Sequence, residues 1–146
     1  MNILCLDYGE KRVGLSYSDE LGIALPLPAA IEATLEDKIE HIRREVKLKK
    51  TELILVGYPY NMNGSIGFKA REVDGFIERL KKEFPDMKFD TTDERLSSFQ
   101  AQMDLDNFSK SHKKSLKAKK QHRKSGDIDS RSSALILQEY IDNASL

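Results

Sequence analysis

The sequence predicts a single α/β domain, a mixed sheet of about five strands flanked by helices. Its first third alternates apolar and polar residues in strand fashion, with no helical period. Further on, segments of helical period interleave with short apolar runs, the pattern of β-α-β crossovers. The chain has 146 residues, which fits one domain over residues 1–146. A domain of that size buries roughly two-thirds of the surface its unfolded chain exposes.

Taken in order, Asn2 to Leu6 is an apolar run that ends in the polar cluster Asp7-Tyr8-Gly9-Glu10-Lys11. Val13, Leu15 and Tyr17 alternate with Gly14, Ser16 and Ser18, so a second strand follows, and the short Gly-containing connection makes a hairpin. Ile23 to Ile31 is a third extended piece. Its Pro26 and Pro28 confine it to a sheet edge or a bulge, because proline cannot donate to a ladder. Leu35, Ile39, Ile42 and Val46 define an amphipathic helix. The unbroken run Leu53-Ile54-Leu55-Val56-Gly57 reads as a central parallel strand, and Tyr58 to Gly67 as a loop. Val73, Phe76, Ile77, Leu80 and Phe84 line a second helix that stops at Pro85. Met87 to Thr91 is a short strand, and a helix is expected from Asp93 or Glu94, with Leu96, Phe99 and Met103 inward. The last helix spans about Asp127 to Asp142. Right-handed crossovers place the later strands parallel to the first.

The formal charge balances, 24 basic residues against 24 acidic, but it is unevenly placed. Lys110, Lys113, Lys114, Lys117, Lys119, Lys120, Arg123 and Lys124 lie between Ser109 and Ser125 with no acid among them. Without these 8, the other 16 basic residues face 24 acids, a remainder of −8. An acidic body with one basic loop at 109–125 suits a polyanion held at one place; the plainer reading is a solvated linker. The lone Cys5 sits in an apolar run and is expected to be buried, which fits a reducing cytosol. Acids and bases arrive by Asp7, Glu10 and Lys11, unlike an export signal. No stretch approaches the roughly 20 apolar residues of a membrane span. The expectation is a cytoplasmic protein with no membrane partner. His112 and His122 lack zinc-ligand spacing.

Three acids stand out by position: Asp7 ends the first strand, Glu94 follows the last, and Asp129 opens the final helix. Strand ends at the centre of a sheet converge, and a helix N-terminus can dock against them. Clustered carboxylates repel one another and so favour a divalent cation. Mg²⁺ or Mn²⁺ would take such hard oxygen ligands, and two such ions can activate water and stabilise a leaving oxygen. The bland alternative is a set of solvated acids, with Asp127 an N-cap. Asp127 and Asp129 are two residues apart and cannot face the same way in a regular helix; Asp129 is the candidate.

Four motifs carry a family resemblance. Leu6-Asp7-Tyr8-Gly9-Glu10-Lys11-Arg12-Val13-Gly14 resembles the opening motif of the YqgF/RuvX-like family. These are ribonuclease H-fold proteins described as Holliday-junction resolvases and as nucleases maturing the precursor of 16S ribosomal RNA. Val56-Gly57-Tyr58-Pro59-Tyr60-Asn61-Met62-Asn63-Gly64-Ser65 is similar to the second motif, and Asp93-Glu94-Arg95-Leu96-Ser97-Ser98 to the third. Asp129-Ser130-Arg131-Ser132-Ser133-Ala134-Leu135-Ile136-Leu137-Gln138 is similar to the final helix. The resemblance implies a ribonuclease H-like fold, with Asp7, Glu94 and Asp129 as catalytic acids and metal ligands. It implies an RNA precursor rather than a DNA junction as substrate, and a ribosomal particle as its setting. Ser132-Ser133 replaces a common Ala pair, a departure expected to affect packing rather than chemistry.

Around that site, Asn61 and Asn63 offer a phosphate amides and backbone N–H groups, or simply form a turn. Arg12 and Arg95 either contact phosphate or pair with a nearby acid. Lys113, Lys114, Lys117, Lys119, Lys120, Arg123 and Lys124 would clamp a phosphate backbone without reading sequence. The rivals are an actin-like ATPase or sugar kinase, which needs two such domains, and a non-catalytic RNA-binding assembly factor. A DNA junction resolvase is the third, and as a symmetric cutter it would be a dimer. Monomer and homodimer both stay open.

Overall fold

The computed structural model describes residues 1–59, 67–94 and 127–144. In chain order these form β1 (Ile3–Tyr8), β2 (Val13–Ser18), β3 (Leu25–Ala30), α1 (Leu35–Leu48), β4 (Leu53–Tyr58), α2 (Phe68–Glu83), β5 (Lys88–Asp93) and α3 (Asp127–Ala144). One sheet runs β3-β2-β1-β4-β5. Antiparallel pairing joins β1 to β2 and β2 to β3, while β4 lies parallel to both β1 and β5. The sheet is thus mixed, and the proline-bearing β3 is at its edge.

Strand alternation assigns the two faces. Leu4 and Leu6 of β1, Val13 and Leu15 of β2, and Ile54 and Val56 of β4 turn to one side, where they pack with Ile42 of α1 and Val73, Phe76 and Leu80 of α2. The intervening Ile3, Cys5, Leu53 and Leu55 turn to the other, against Ile136 and Leu137 of α3. Helices α1 and α2 are tied by ion pairs, Arg43 to Glu83 at 2.6 Å and Arg79 to Glu36 at 2.6 Å. Gln138 anchors α3 to the β2–β3 connection. Its side-chain oxygen accepts from Ala24 N at 2.9 Å, and its amide donates to Gly22 O at 3.1 Å. Gly22 has φ +75° there, a left-handed turn that glycine adopts without steric cost.

One expectation is corrected. The chain is still extended at Asp93, where a helix start was expected. The parallel ladder runs to the pair Tyr58↔Asp93, and Glu94 N still donates to Tyr58 O at 3.3 Å. Leu96, Phe99, Met103 and the basic loop 109–125 lie outside the described residues, as do Asn61, Asn63 and Arg95. Among the described residues, no helix is long and apolar enough to cross a membrane.

Candidate active site

Asp7 is the fifth of six residues in β1 and shares the α3 face with Ile3 and Cys5. It is only 8% exposed. Across the ladder its partner is Gly14, and there a missing side chain matters. A Cβ on Gly14 would stand 2.1 Å from the carbonyl oxygen of Asp129. The first turn of α3 therefore seats directly on β2 and brings Asp129 beside Asp7. Gly57 does the same on β4, where a Cβ would lie 2.9 Å from Glu94 Oε2 and 3.1 Å from Ile136 Cδ1. Glu94, one residue past β5, is drawn over Gly57 and buried to 6% exposure.

Burial, a hydrogen bond with Glu94 and the Glu94 charge push the Asp7 carboxyl well above its ordinary range; the Lys69 charge and a hydrogen bond from Ser132 pull the other way. Two carboxyl groups can share a hydrogen bond only while one holds a proton. Asp7 and Glu94 thus form a protonated pair in the absence of a cation. Glu94 Oε2 is buried and has no hydrogen-bond partner, a costly state for a carboxyl oxygen. Burial raises Asp129 as well, opposed by Arg12, whose Nε donates to Asp129 Oδ2 at 3.0 Å, and reinforced by the Asp7 charge.

These observations test whether a divalent cation fits. The donors are hard oxygens, crowded and short of positive charge, and one is orphaned, so Asp7 and Glu94 fit Mg²⁺ or Mn²⁺. Asp129 is adjacent but turned to Arg12. Among the described residues, no three acids, histidines or cysteines stand close enough to hold an ion as placed. The structure therefore brings Asp7 and Glu94 together, sets Asp129 beside them, and gives Arg12 an acid as its partner.

Sequence reasoning missed two side chains. Lys69, in the first turn of α2, acts on both Asp7 and Asp129. A cation at a helix N-terminus opposes the macrodipole, and that mismatch was the available signal. Ser132, one turn beyond Asp129, hydrogen-bonds the Asp7 carboxyl, so its departure from the Ala pair touches chemistry and not packing alone. Ser133 does serve packing: its hydroxyl donates to Cys5 O at 2.9 Å and lies 2.8 Å from Ser16 Oγ. Burial pushes the Cys5 thiol up to about 12, with the Ser133 and Ser16 hydroxyls opposing, so Cys5 is an inert core residue.

Comparison with known proteins bears on this site. A family model described as "RuvX: Holliday junction resolvase" matches residues 1–143. A protein of Opitutus terrae, provisionally named a pre-16S rRNA nuclease, is 37% identical over 142 residues, covering 97% of this chain and 92% of that one. A relative of the same provisional name from Halothermothrix orenii is 36% identical over 143 residues, covering 97% and 95%. Among solved structures, Fowlpox virus resolvase with Holliday junction DNA superposes with a TM-score of 0.57 at 14% identity, covering 99% of both chains. T. thermophilus RuvC with a Holliday junction substrate gives 0.52 at 14% identity, covering 99% and 96%. The two superpositions speak to fold alone, which is ribonuclease H-like.

Proposed function

This chain belongs to the RuvX family of Holliday junction resolvases, and from that premise we propose that it is a metal-dependent nuclease that matures the precursor of 16S ribosomal RNA. One observation carries the chemistry: a buried carboxyl pair, Asp7 and Glu94, at the carboxyl ends of the parallel strands, with an unpartnered Glu94 oxygen. The names of the full-length relatives at 36–37% identity support the RNA substrate. Asp7, Glu94 and Asp129 would hold Mg²⁺ or Mn²⁺, which when bound supplies Lewis acidity toward a phosphodiester and its attacking water.

The chain's own groups have distinct parts. Asp7, placed by β1 against Gly14, fixes the centre of the site, and Glu94 contributes an oxygen with no competing hydrogen bond. Loss of the proton shared by Asp7 and Glu94 accompanies the change to the charged, ligating state. Ser132 orients the Asp7 carboxylate, and Lys69 lowers the cost of gathering three negative charges. Arg12, Arg95, Asn61 and Asn63 would approach the substrate phosphates. Lys113, Lys114, Lys117, Lys119, Lys120, Arg123 and Lys124 would hold the flanking backbone as point charges. Such an enzyme would work in the cytoplasm on a ribosomal precursor particle, and a monomer suffices for one cut.

The family description favours a second reading, cleavage of a four-way DNA junction by a two-fold symmetric dimer. End-labelled precursor 16S RNA and a four-way junction, each with Mn²⁺ and with EDTA, separate the two. Metal-dependent cutting of the RNA alone is the expected result. Symmetric nicking of the junction alone would establish the resolvase instead. Binding without cleavage of either would leave an assembly factor.

A further inference from the structure

We infer that Arg12 is a built-in stand-in for a divalent cation at Asp129, displaced toward the substrate phosphate when the metal binds. This rests on the metal-dependent reading above and adds a competition within the chain. The Arg12–Asp129 contact joins residues 117 positions apart at 3.0 Å. Two close backbone approaches set it up. A Cβ on Gly9 would lie 2.6 Å from Arg12 O, so the β1–β2 turn closes tightly and fixes where Arg12 emerges. A Cβ on Gly14 would strike the Asp129 carbonyl, so α3 is seated against the same hairpin. The pair is thus a product of the fold's tightest contacts and not a chance meeting of long surface side chains.

The acids of the site are compensated in different ways. Asp7 and Glu94 share a hydrogen bond, whereas Asp129 is held by a guanidinium, which keeps its charge at any working pH. Asp129 cannot turn to an ion shared with Asp7 and Glu94 while Arg12 Nε occupies it. Both side chains are about one-third exposed, 34% and 28%, so the exchange needs no opening of the core. Once released, Arg12 sits at the rim of the carboxylates, where its fork suits a phosphate.

Linkage makes this testable without turnover. If the pair exists only in the metal-free state, removing it costs that state alone and tightens metal binding by the same factor. Titration calorimetry with Mn²⁺ on the full chain is therefore expected to show Arg12→Gln binding about two- to five-fold tighter than wild type at low salt, the range for a half-exposed pair. Its Tm falls below wild type without metal, and the gap closes at saturating Mn²⁺. Arg12→Lys, which keeps the charge, falls between. In an Asp129→Asn background, Arg12→Gln leaves Mn²⁺ affinity unchanged. With Mn²⁺ present, the salt dependence of precursor-RNA binding loses about one unit of slope in Arg12→Gln. Equal or weaker Mn²⁺ binding by Arg12→Gln, with a Tm gap that persists at saturation, would overturn the inference, since Arg12 would then hold Asp129 in both states. Absence of Mn²⁺ binding by wild type would sink the metal-dependent reading as well.

Discussion

Asp7 costs the metal-free protein stability. Its carboxyl is raised by burial and by Glu94, so the folded state binds a proton more tightly than the unfolded chain does. Between the ordinary carboxyl range and the raised value, stability falls as pH rises, because the unfolded chain gives up its proton first. Asp7→Asn removes that burden. In EDTA at pH 7 the variant is expected to melt about 2–4 °C above wild type, equivalent to roughly 0.5–2 kcal/mol. Near pH 4 the difference shrinks. Thermal melts at both pH values check this, and a lower Tm at pH 7 would show that the Asp7–Glu94 hydrogen bond outweighs its burial cost. Asp7 and Glu94 were legible in the sequence because each ends a strand. The Arg12–Asp129 pair, Lys69 and Ser132 were not. They meet the site through tertiary contacts, and no local spacing encodes those.

At the scale of elements, the site depends on how closely α3 approaches the sheet. Along α3, Asp129, Ser132, Ser133, Ile136, Leu137, Tyr140 and Ile141 recur at three- and four-residue steps. That stripe is polar at the site and apolar beyond it, where it joins Cys5 and Leu55. Gly14→Ala would push a methyl into the Asp129 backbone. It is expected to cost about 1–3 kcal/mol by overpacking. Cleavage should fall about 100-fold through misplacement of Asp129. Denaturant melts and single-turnover assays measure the two losses separately; near-normal cleavage would mean that Asp129 can shift without penalty. The sheet order and both crossovers were readable from period alone, because β1 and β4 are apolar on both faces. Strand β5 misled at its end. It is an exposed edge carrying Lys88, Asp90 and Asp93, and an acidic pair after threonines imitates a helix cap. The ladder with β4 decides the conformation there, and Tyr58 lies 35 residues away from Asp93 in the chain.

For the whole molecule, charge placement separates binding from chemistry. The basic loop 109–125 was legible as composition, and its lysines would add affinity without sequence preference. Replacing Lys113, Lys114, Lys117, Lys119, Lys120, Arg123 and Lys124 by Glu is expected to weaken RNA binding. The slope of log K against log salt should flatten by about 0.7–0.9 for each phosphate that is no longer neutralised. Filter binding across salt concentrations measures this, and an unchanged slope would reduce the loop to a linker. Mn²⁺ affinity, set by acids on β1, beyond β5 and on α3, should not follow the loop.

The central claim is that the Asp7–Glu94 pair is the metal-dependent cutting centre. Its most direct test is cleavage of end-labelled precursor 16S RNA by wild type, Asp7→Asn and Glu94→Gln in Mn²⁺, with Tm confirming that each variant is folded. The account predicts cutting by wild type and a loss of at least about 1,000-fold, or ~4 kcal/mol of transition-state stabilisation, in each variant. Undiminished cleavage by folded Asp7→Asn would place the chemistry elsewhere and contradict the account.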